Sequence, residues 1–340
     1  MLELGHGREH LHGPQVERVH RRMNPAAERA IPLPEVAAAP AAAAPGLAEE
    51  GRRQRRLATL QAAPLALVFL VFFVVPLALT LIVSFWEYNE YEIIPAFTLQ
   101  NYADVFDGCF SGGDLCTTFR TYLSTLKFCL LAWAFTLAIG FTVAYFVAFH
   151  VRTSAMQTVL FLICTIPFWT SNVIRMIAWI PLLGRNGLVN DALMGLGLTA
   201  KPLEGLLYSD FAVVLAFIHL DTVFMIVPIF NSMMRIDRAL IEAARDAGAG
   251  AWQILWTVIV PLAKPGIAIG SIFVLTLVMG DFVTVGVMGG QQIASVGKVI
   301  QVQMAYLQFP AAAANAVVLL GAVILMIVGL TRLIDLRREL

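Results

Sequence analysis

Two aspartates stand where an ionised carboxylate is expensive. Asp221 sits with His219 and Thr222 near the middle of one apolar run, and Asp281 lies deep in another, within Met279-Gly-Asp-Phe-Val-Thr284. A charge placed in hydrocarbon costs at least about 2.5 kcal/mol, so such residues face a cavity, a solute or a partner group. Each aspartate is a candidate for a solute pathway; the competing reading is a structural hydrogen bond, or pairing with His219 or Arg175. A third run holds Thr165-Ile-Pro-Phe-Trp-Thr-Ser-Asn-Val-Ile-Arg175, polar for its apolar setting. There Trp169 either lines a pathway or packs, and Arg175 either snorkels to the surface or meets an anion. Pro167 removes one backbone donor and can kink the run. Bond-making chemistry has no comparable signal, since neither a His-Glu-x-x-His cluster nor a Gly-x-x-x-x-Gly-Lys-Ser/Thr phosphate loop occurs.

These residues need elements to hold them, and the composition says which. The 340-residue chain is 59% hydrophobic and 14% charged, with mean hydropathy +0.77, too apolar for a water-soluble globule. Runs long enough to cross the bilayer occur near residues 64–85, 126–149, 156–180, 211–230, 267–288 and 311–330. A lone segment in lipid satisfies its backbone only as a helix, so the fold class is all-α, a polytopic membrane protein with six transmembrane helices. Net charge is zero, which argues against nucleic acid as a partner and leaves membrane lipid as the surroundings.

Basic residues set the orientation. If the amino terminus is inside, Arg52, Arg53, Arg55, Arg56, Arg152, Arg235, Arg238, Arg245, Lys264, Arg332, Arg337 and Arg338 share that side. The other side has Arg120, Lys127, Arg185, Lys201 and Lys298. Both termini are therefore expected in the cytoplasm. Residues 1–56, rich in Ala, Pro and Arg, read as a disordered cytoplasmic tail, with residues 57–340 as the membrane domain. The tail has no apolar core near Met1, so no cleaved signal peptide is expected.

Outside the spans, the first outer loop is acidic: Glu87, Glu90, Glu92, Asp104, Asp107 and Asp114 face only Arg120. It is either a solvated loop or a negative vestibule. Cys109 and Cys116 lie in it, separated by glycines and in an oxidising setting, and are a possible disulfide. No metal site is expected there, because no His is near. Cys129 and Cys164 fall inside spans and read as small apolar groups.

A charged amphipathic elbow at about 235–261 interrupts the apolar pattern on the inner side. It reads Glu242-Ala-Ala-Arg-Asp-Ala-Gly248, nine further residues, then Val258-Ile-Val-Pro261. Ile236, Leu240, Ala244 and Ala247 fall close to one helix face, and Arg238 with Glu242 and Glu242 with Arg245 stand at pairing distances. Gly248 and Gly250 end the helix. A second amphipathic stretch, 251–260, leads to Pro261 and Pro265 at the entrance to the fifth span. Small alanines let such an elbow enter a groove, where Glu242 can meet a basic residue.

This element resembles the signature of ABC importer permeases, Glu-Ala-Ala-x3-Gly-x9-Ile-x-Leu-Pro, with Val258 and Val260 at the aliphatic positions. From about residue 64 onward, Pro167-Phe-Trp-Thr-Ser-Asn-Val-Ile-Arg175, Leu183-Gly-Arg-Asn-Gly-Leu188, Met279-Gly-Asp-Phe-Val-Thr284 and Met288-Gly-Gly290 are similar to the first permease of spermidine/putrescine importers. Val285 stands where many such relatives carry proline. The resemblance implies a type I ABC importer permease architecture, paired with a second homologous permease, two copies of a cytoplasmic ATPase and an extracytoplasmic solute-binding protein. It implies import of polyamines, or of another small nitrogenous or anionic solute, by ATP-driven alternating access at the inner membrane. No cofactor is expected on this chain, which is not an enzyme; ATP and Mg are used by the separate ATPase. Glu242, Ala243, Ala244, Asp246, Gly248 and Pro261 would couple to that ATPase, and Trp169, Arg175, Asp221 and Asp281 would meet the solute. An ion-coupled secondary transporter is the rival, and it would usually show an internal repeat, for which the chain gives no convincing sign.

Overall fold

The computed structural model describes residues 60–89, 92–109 and 116–334, with side chains to Arg332. The tail at 1–56 lies outside the described residues, as do Glu90, Tyr91, Asp114, Arg337 and Arg338. The chain divides into two compact units, 1–69 and 70–340. Residues 60–69 are the described part of the first, and they are helical.

The second unit opens with a π-helical turn, Leu70–Val74, and α1 (Val75–Val83). A two-residue hairpin follows, β1 (Glu87–Tyr88) antiparallel to β2 (Ile93–Ile94), and then α2 (Gln100–Val105). Buried Asn101 secures this loop by donating to the carbonyls of Ser84 and Trp86 at 2.9 and 2.8 Å. The long α3 (Thr117–Tyr145) continues as a π-helix to His150. After it come α4 (Ser154–Thr165), a 3-10 turn (Ile166–Trp169), α5 (Asn172–Ile177), α6 (Ile180–Leu183) and α7 (Leu188–Gly195). The chain then forms α8 (Asp210–Met233), α9 (Arg238–Asp246), α10 (Ala251–Ile254), a π stretch (Leu255–Ile259) and α11 (Val260–Gly280). It ends with α12 (Val283–Met288), α13 (Val296–Ala305) and α14 (Phe309–Ile334).

Five helical runs are long and apolar enough to cross a membrane: Leu60–Val83, Thr117–His150, Asp210–Met233, Ala251–Gly280 and Phe309–Arg332. The expected third span is not one helix. It is a pair, Ser154–Trp169 and Asn172–Gly195, bent by 91°. Proline supplies the cause, because Pro167 tightens the chain into the 3-10 turn and Thr170 then turns extended. At the break the Pro167 carbonyl accepts from both the hydroxyl and the amide of Thr170, at 2.7 and 3.2 Å. Counted as one broken span, the pair brings the total to six.

The fifth span is also displaced from its expected bounds of 267–288. It starts at Ala251, so the second arm of the elbow is the first turns of the span itself, and it ends at Gly280. Asp281 consequently stands at the helix terminus and not deep within it.

Helices α3, α8 and α11 pack as a trio around Phe128, Phe217, Met225 and Val274. Without a hydrophobic drive inside lipid, such contacts depend on close approach over small residues. Gly140 and Gly270 both lie against Met225, and Gly266 lies against the backbone of α8. Between helices, the Trp133 indole donates to Ser271 at 2.8 Å. A methyl at Gly266 would meet the Pro228 carbonyl at 2.4 Å and the Ile229 Cα at 2.9 Å, while one at Gly321 meets nothing within 4 Å. Gly266→Ala is expected to destabilise by about 1–3 kcal/mol through overpacking. Gly321→Ala should be neutral or slightly stabilising, as expected for a helical glycine. Thermal unfolding of the purified protein in detergent reads both.

Candidate functional site

At one end of the bundle, the elbow is built from its caps inward. Asp237 starts α9 by accepting from the Ala239 amide at 2.9 Å, satisfying one of the free donors of the first turn. Gly248 ends it at φ +85°, where a side chain would be strained, and its amide returns to the Arg245 carbonyl at 2.8 Å. The buried face is carried by Ile241, with Ile236 and Ala244 half-buried. Leu240 and Ala247, expected on that face, are exposed; with Ala243 they form an exposed apolar stripe at i, i+3 and i+7.

The expected ion pairs of Glu242 are not formed. Among the described residues the ion pairs are Lys127 with Asp210 and Arg185 with Glu204, both at the other end of the bundle. Glu242, Arg238 and Arg245 are exposed, and an exposed pair on a helix gains little. All three side chains instead line a cavity of about 340 Å³ whose other walls include Tyr145, His150 and Ile259. That cavity joins the elbow to the end of α3. Asp246 is exposed, and Pro261 directly follows the π stretch within the continuous helical run from Ala251 to Gly280. The hairpin between α3 and α4 is secured by buried Gln157, which donates to the carbonyls of Val147, Ala148 and Val151 at 3.1–3.3 Å.

Toward the opposite end lies the polar cluster. Asp221, on α8, is 7% exposed, and Arg175, on α5, is 8% exposed. Asp221 interacts electrostatically with both Arg175 and Asp281, and Arg175 with His219. Elements α5, α8 and α12 pack on one another, which is how residues so distant in sequence converge. Arg175 gives one guanidinium nitrogen, Nη2, to the Asn172 side chain, while its Nε has no partner. Among the described residues none donates a hydrogen bond to Asp221. His219 is held by the Trp179 indole, which donates to Nδ1 at 2.9 Å, and among the described residues neither aspartate forms an ion pair with it.

Asp281 has a structural task. Its carboxylate accepts from the Thr284 amide at 2.8 Å and the Thr284 hydroxyl at 2.6 Å, capping the first turn of α12. Only half-buried, it also retains a face toward Asp221. Trp169 lies apart from the cluster, 84% exposed at the break of the third span. Cys109 and Cys116 are joined in a disulfide at the mouth of the outer loop.

Several anchoring polar residues carried no signal in the sequence. Asn190 is fully buried and clasps the segment after the break, bonding the Gly184 carbonyl and both backbone groups of Leu203. Thr125 on α3 accepts from the Val296 amide at 3.0 Å and seats the start of α13. A lone Asn or Thr in an apolar run reads as packing until its distant partner is known.

Comparison with known proteins decides the family. Residues 139–339 match the family described as "Binding-protein-dependent transport system inner membrane component". The chain belongs to it. The permease is thus a multi-pass inner-membrane transport component and not itself an enzyme, and it works with a solute-binding protein and further transporter subunits. It is 31% identical over 248 residues to the spermidine/putrescine transport system permease protein PotB of Escherichia coli K12, covering 72% of this chain and 86% of that one. It is 32% identical over 241 residues to PotB of Haemophilus influenzae, covering 69% and 80%. Its fold resembles a chain of a bacterial alginate ABC transporter, crystallised in complex with an alginate pentasaccharide-bound periplasmic protein. That match has TM-score 0.66 at 16% identity, covering 83% of this chain and 95% of that chain.

Proposed function

We propose that the permease imports linear polyamines of the spermidine and putrescine type into the cytoplasm. The observation that carries this is Asp221: a buried carboxylate with no hydrogen-bond donor among the described residues, beside a second carboxylate, Asp281. Two acids against the one guanidinium of Arg175 leave a site that gains by admitting an ammonium group. The relatives named as spermidine/putrescine permeases support the same solute class.

The mechanism follows from two ends of one rigid trio. A second homologous permease completes the pathway, two ATPase subunits bind and hydrolyse ATP with Mg, and an extracytoplasmic binding protein delivers the solute. Both termini and the elbow face the cytoplasm, in keeping with the excess of Arg and Lys on that side. The exposed stripe Leu240, Ala243 and Ala247 enters a groove of the ATPase, and Glu242 meets a basic residue there. Because the elbow's second arm is continuous with α11, movement of the dock is transmitted along that helix to its far end at Asp281.

Cells lacking their own polyamine importers, and given this permease with its neighbouring subunits, should take up labelled putrescine and spermidine saturably. No uptake by a correctly assembled complex would remove the polyamine assignment. A second reading, an anionic or zwitterionic solute, is favoured by the unpartnered Nε of Arg175. The same cells screened with small anions would reveal it.

A further inference from the structure

The cavity of about 340 Å³ between the elbow and α3 holds more positive charge than the docking of α9 uses. Arg238, Ile241 and Arg245 fall at i, i+3 and i+7, and all three line it. At 3.6 residues per turn, that stripe stands roughly 160° around α9 from Leu240, Ala243 and Ala247. An ATPase docked on the exposed apolar stripe therefore meets the opposite face of the helix. His150 adds an imidazole from the end of α3, in contact with the rings of Tyr145 and Phe146 at 5.2 and 5.9 Å. Against these the wall holds one carboxylate, Glu242. Among the described residues neither arginine forms an ion pair, so the cavity is net positive, and it becomes more so when Glu242 turns to the ATPase.

The level of the cavity in the bilayer says which anion reaches it. His150 is the last residue of the second span, and Ala251, also in the wall, is the first of the fifth. Two spans thus end there, at the boundary between hydrocarbon and water. Phe149, Ile254 and Ile259 supply apolar wall beside the charges. Trp252 and Trp256 stand on the same arm of the elbow, both exposed, with rings 5.7 Å apart. Exposed tryptophans at such a level mark the interfacial belt, where headgroups lie. A soluble anion would use the guanidiniums alone, whereas charges, apolar wall and interfacial rings together match a phospholipid.

With the elbow on the cytoplasmic side, as proposed above, we infer that this cavity binds the phosphate of an anionic phospholipid of the inner leaflet. Arg238 and Arg245 donate to the phosphate oxygens through paired N–H groups, His150 donates a further bond, and the acyl chains leave along the apolar wall. Basic pockets between spans on the cytoplasmic side suit such headgroups. Glu242 competes with the phosphate for the two arginines. ATPase docking, which draws Glu242 away, and lipid binding therefore favour one another. The site rests on the orientation of the elbow and not on which solute is carried.

Native mass spectrometry of the assembled transporter, delipidated in detergent and titrated with phosphatidylglycerol or with phosphatidylcholine of the same acyl chains, counts the bound lipid. Wild type should retain phosphatidylglycerol at least about tenfold more tightly than phosphatidylcholine. The Arg238→Gln/Arg245→Gln double variant should bind one phosphatidylglycerol fewer; both side chains are exposed and unpaired among the described residues, so its fold is expected to be intact. Lys264→Gln, which removes an exposed cation outside the cavity, should bind as wild type does. Equal retention of the two lipids by wild type, or an unchanged phosphatidylglycerol count in the double variant, would overturn the site. Inorganic phosphate at millimolar concentration distinguishes the source: phosphatidylglycerol that stays bound supports the lipid, and its displacement would overturn the lipid in favour of phosphate taken from the water. Orientation is tested separately by an impermeant maleimide on intact cells carrying Asp246→Cys. Labelling there would remove the inner-leaflet assignment while leaving the phosphate site standing.

Discussion

Glu242→Lys is expected to abolish uptake while leaving the permease folded in the membrane. The side chain is exposed, makes no ion pair among the described residues and lies on a helix whose buried face is carried by Ile241, so nothing in the bundle depends on its charge. Its cost therefore falls on the dock. Placing an ammonium opposite a basic groove replaces attraction by like-charge contact, which costs several kcal/mol, and about 2.8 kcal/mol is already a hundredfold in affinity. Copurification of the ATPase subunits and uptake of labelled putrescine should both fall by at least about a hundredfold. Ala243→Leu tests the same dock by shape, because it enlarges the exposed stripe without touching charge. Unchanged association together with unchanged uptake in Glu242→Lys would remove Glu242 from the coupling role.

The reach of sequence reasoning differed from element to element for physical reasons. Apolar runs declare helices in lipid because no other backbone arrangement satisfies a lone segment, so α3, α8 and α14 were legible within a few residues at most ends. The break after Trp169 was only half legible. Pro167 announced a kink, but the 91° bend depends on where the following segment packs, and Asn190 clasping Gly184 and Leu203 is a contact that no local pattern reveals. The start of the fifth span misled because the amphipathic pattern of 251–260 resembles a surface helix, whereas tertiary packing buries Ile254 and Ile259 and runs the stretch straight into α11. At the site, Asp221, Asp281 and Arg175 stood out as charges in apolar runs. That Asp281 caps α12 through Thr284, and that Glu242 stands unpaired beside two arginines, follow from geometry at helix ends, where one residue of register changes every partner.

Asp221→Asn separates the structural from the transport role when combined with Arg175→Met. Asparagine keeps the shape of the side chain and removes its charge. Arg175 is then left nearly buried, with Nε unpartnered and its nearest compensating carboxylate gone. Asp221 and Arg175 are not in ion-pair contact, so the single variant loses a longer-range attraction and the amount of folded permease should fall only in part. Arg175→Met fills similar space without charge, so the double variant has neither orphan and should recover the permease level. If Asp221 only neutralises Arg175, uptake returns with the protein. If Asp221 receives an ammonium group of the solute, the double variant is present in the membrane at normal amounts and still imports putrescine at least about tenfold more weakly, the loss of one charge-assisted contact of about 1.5–3 kcal/mol. The second outcome is the one expected. It follows from Asp221 having two electrostatic neighbours, since Asp281 remains beside it as an uncompensated acid that no Arg175 role accounts for.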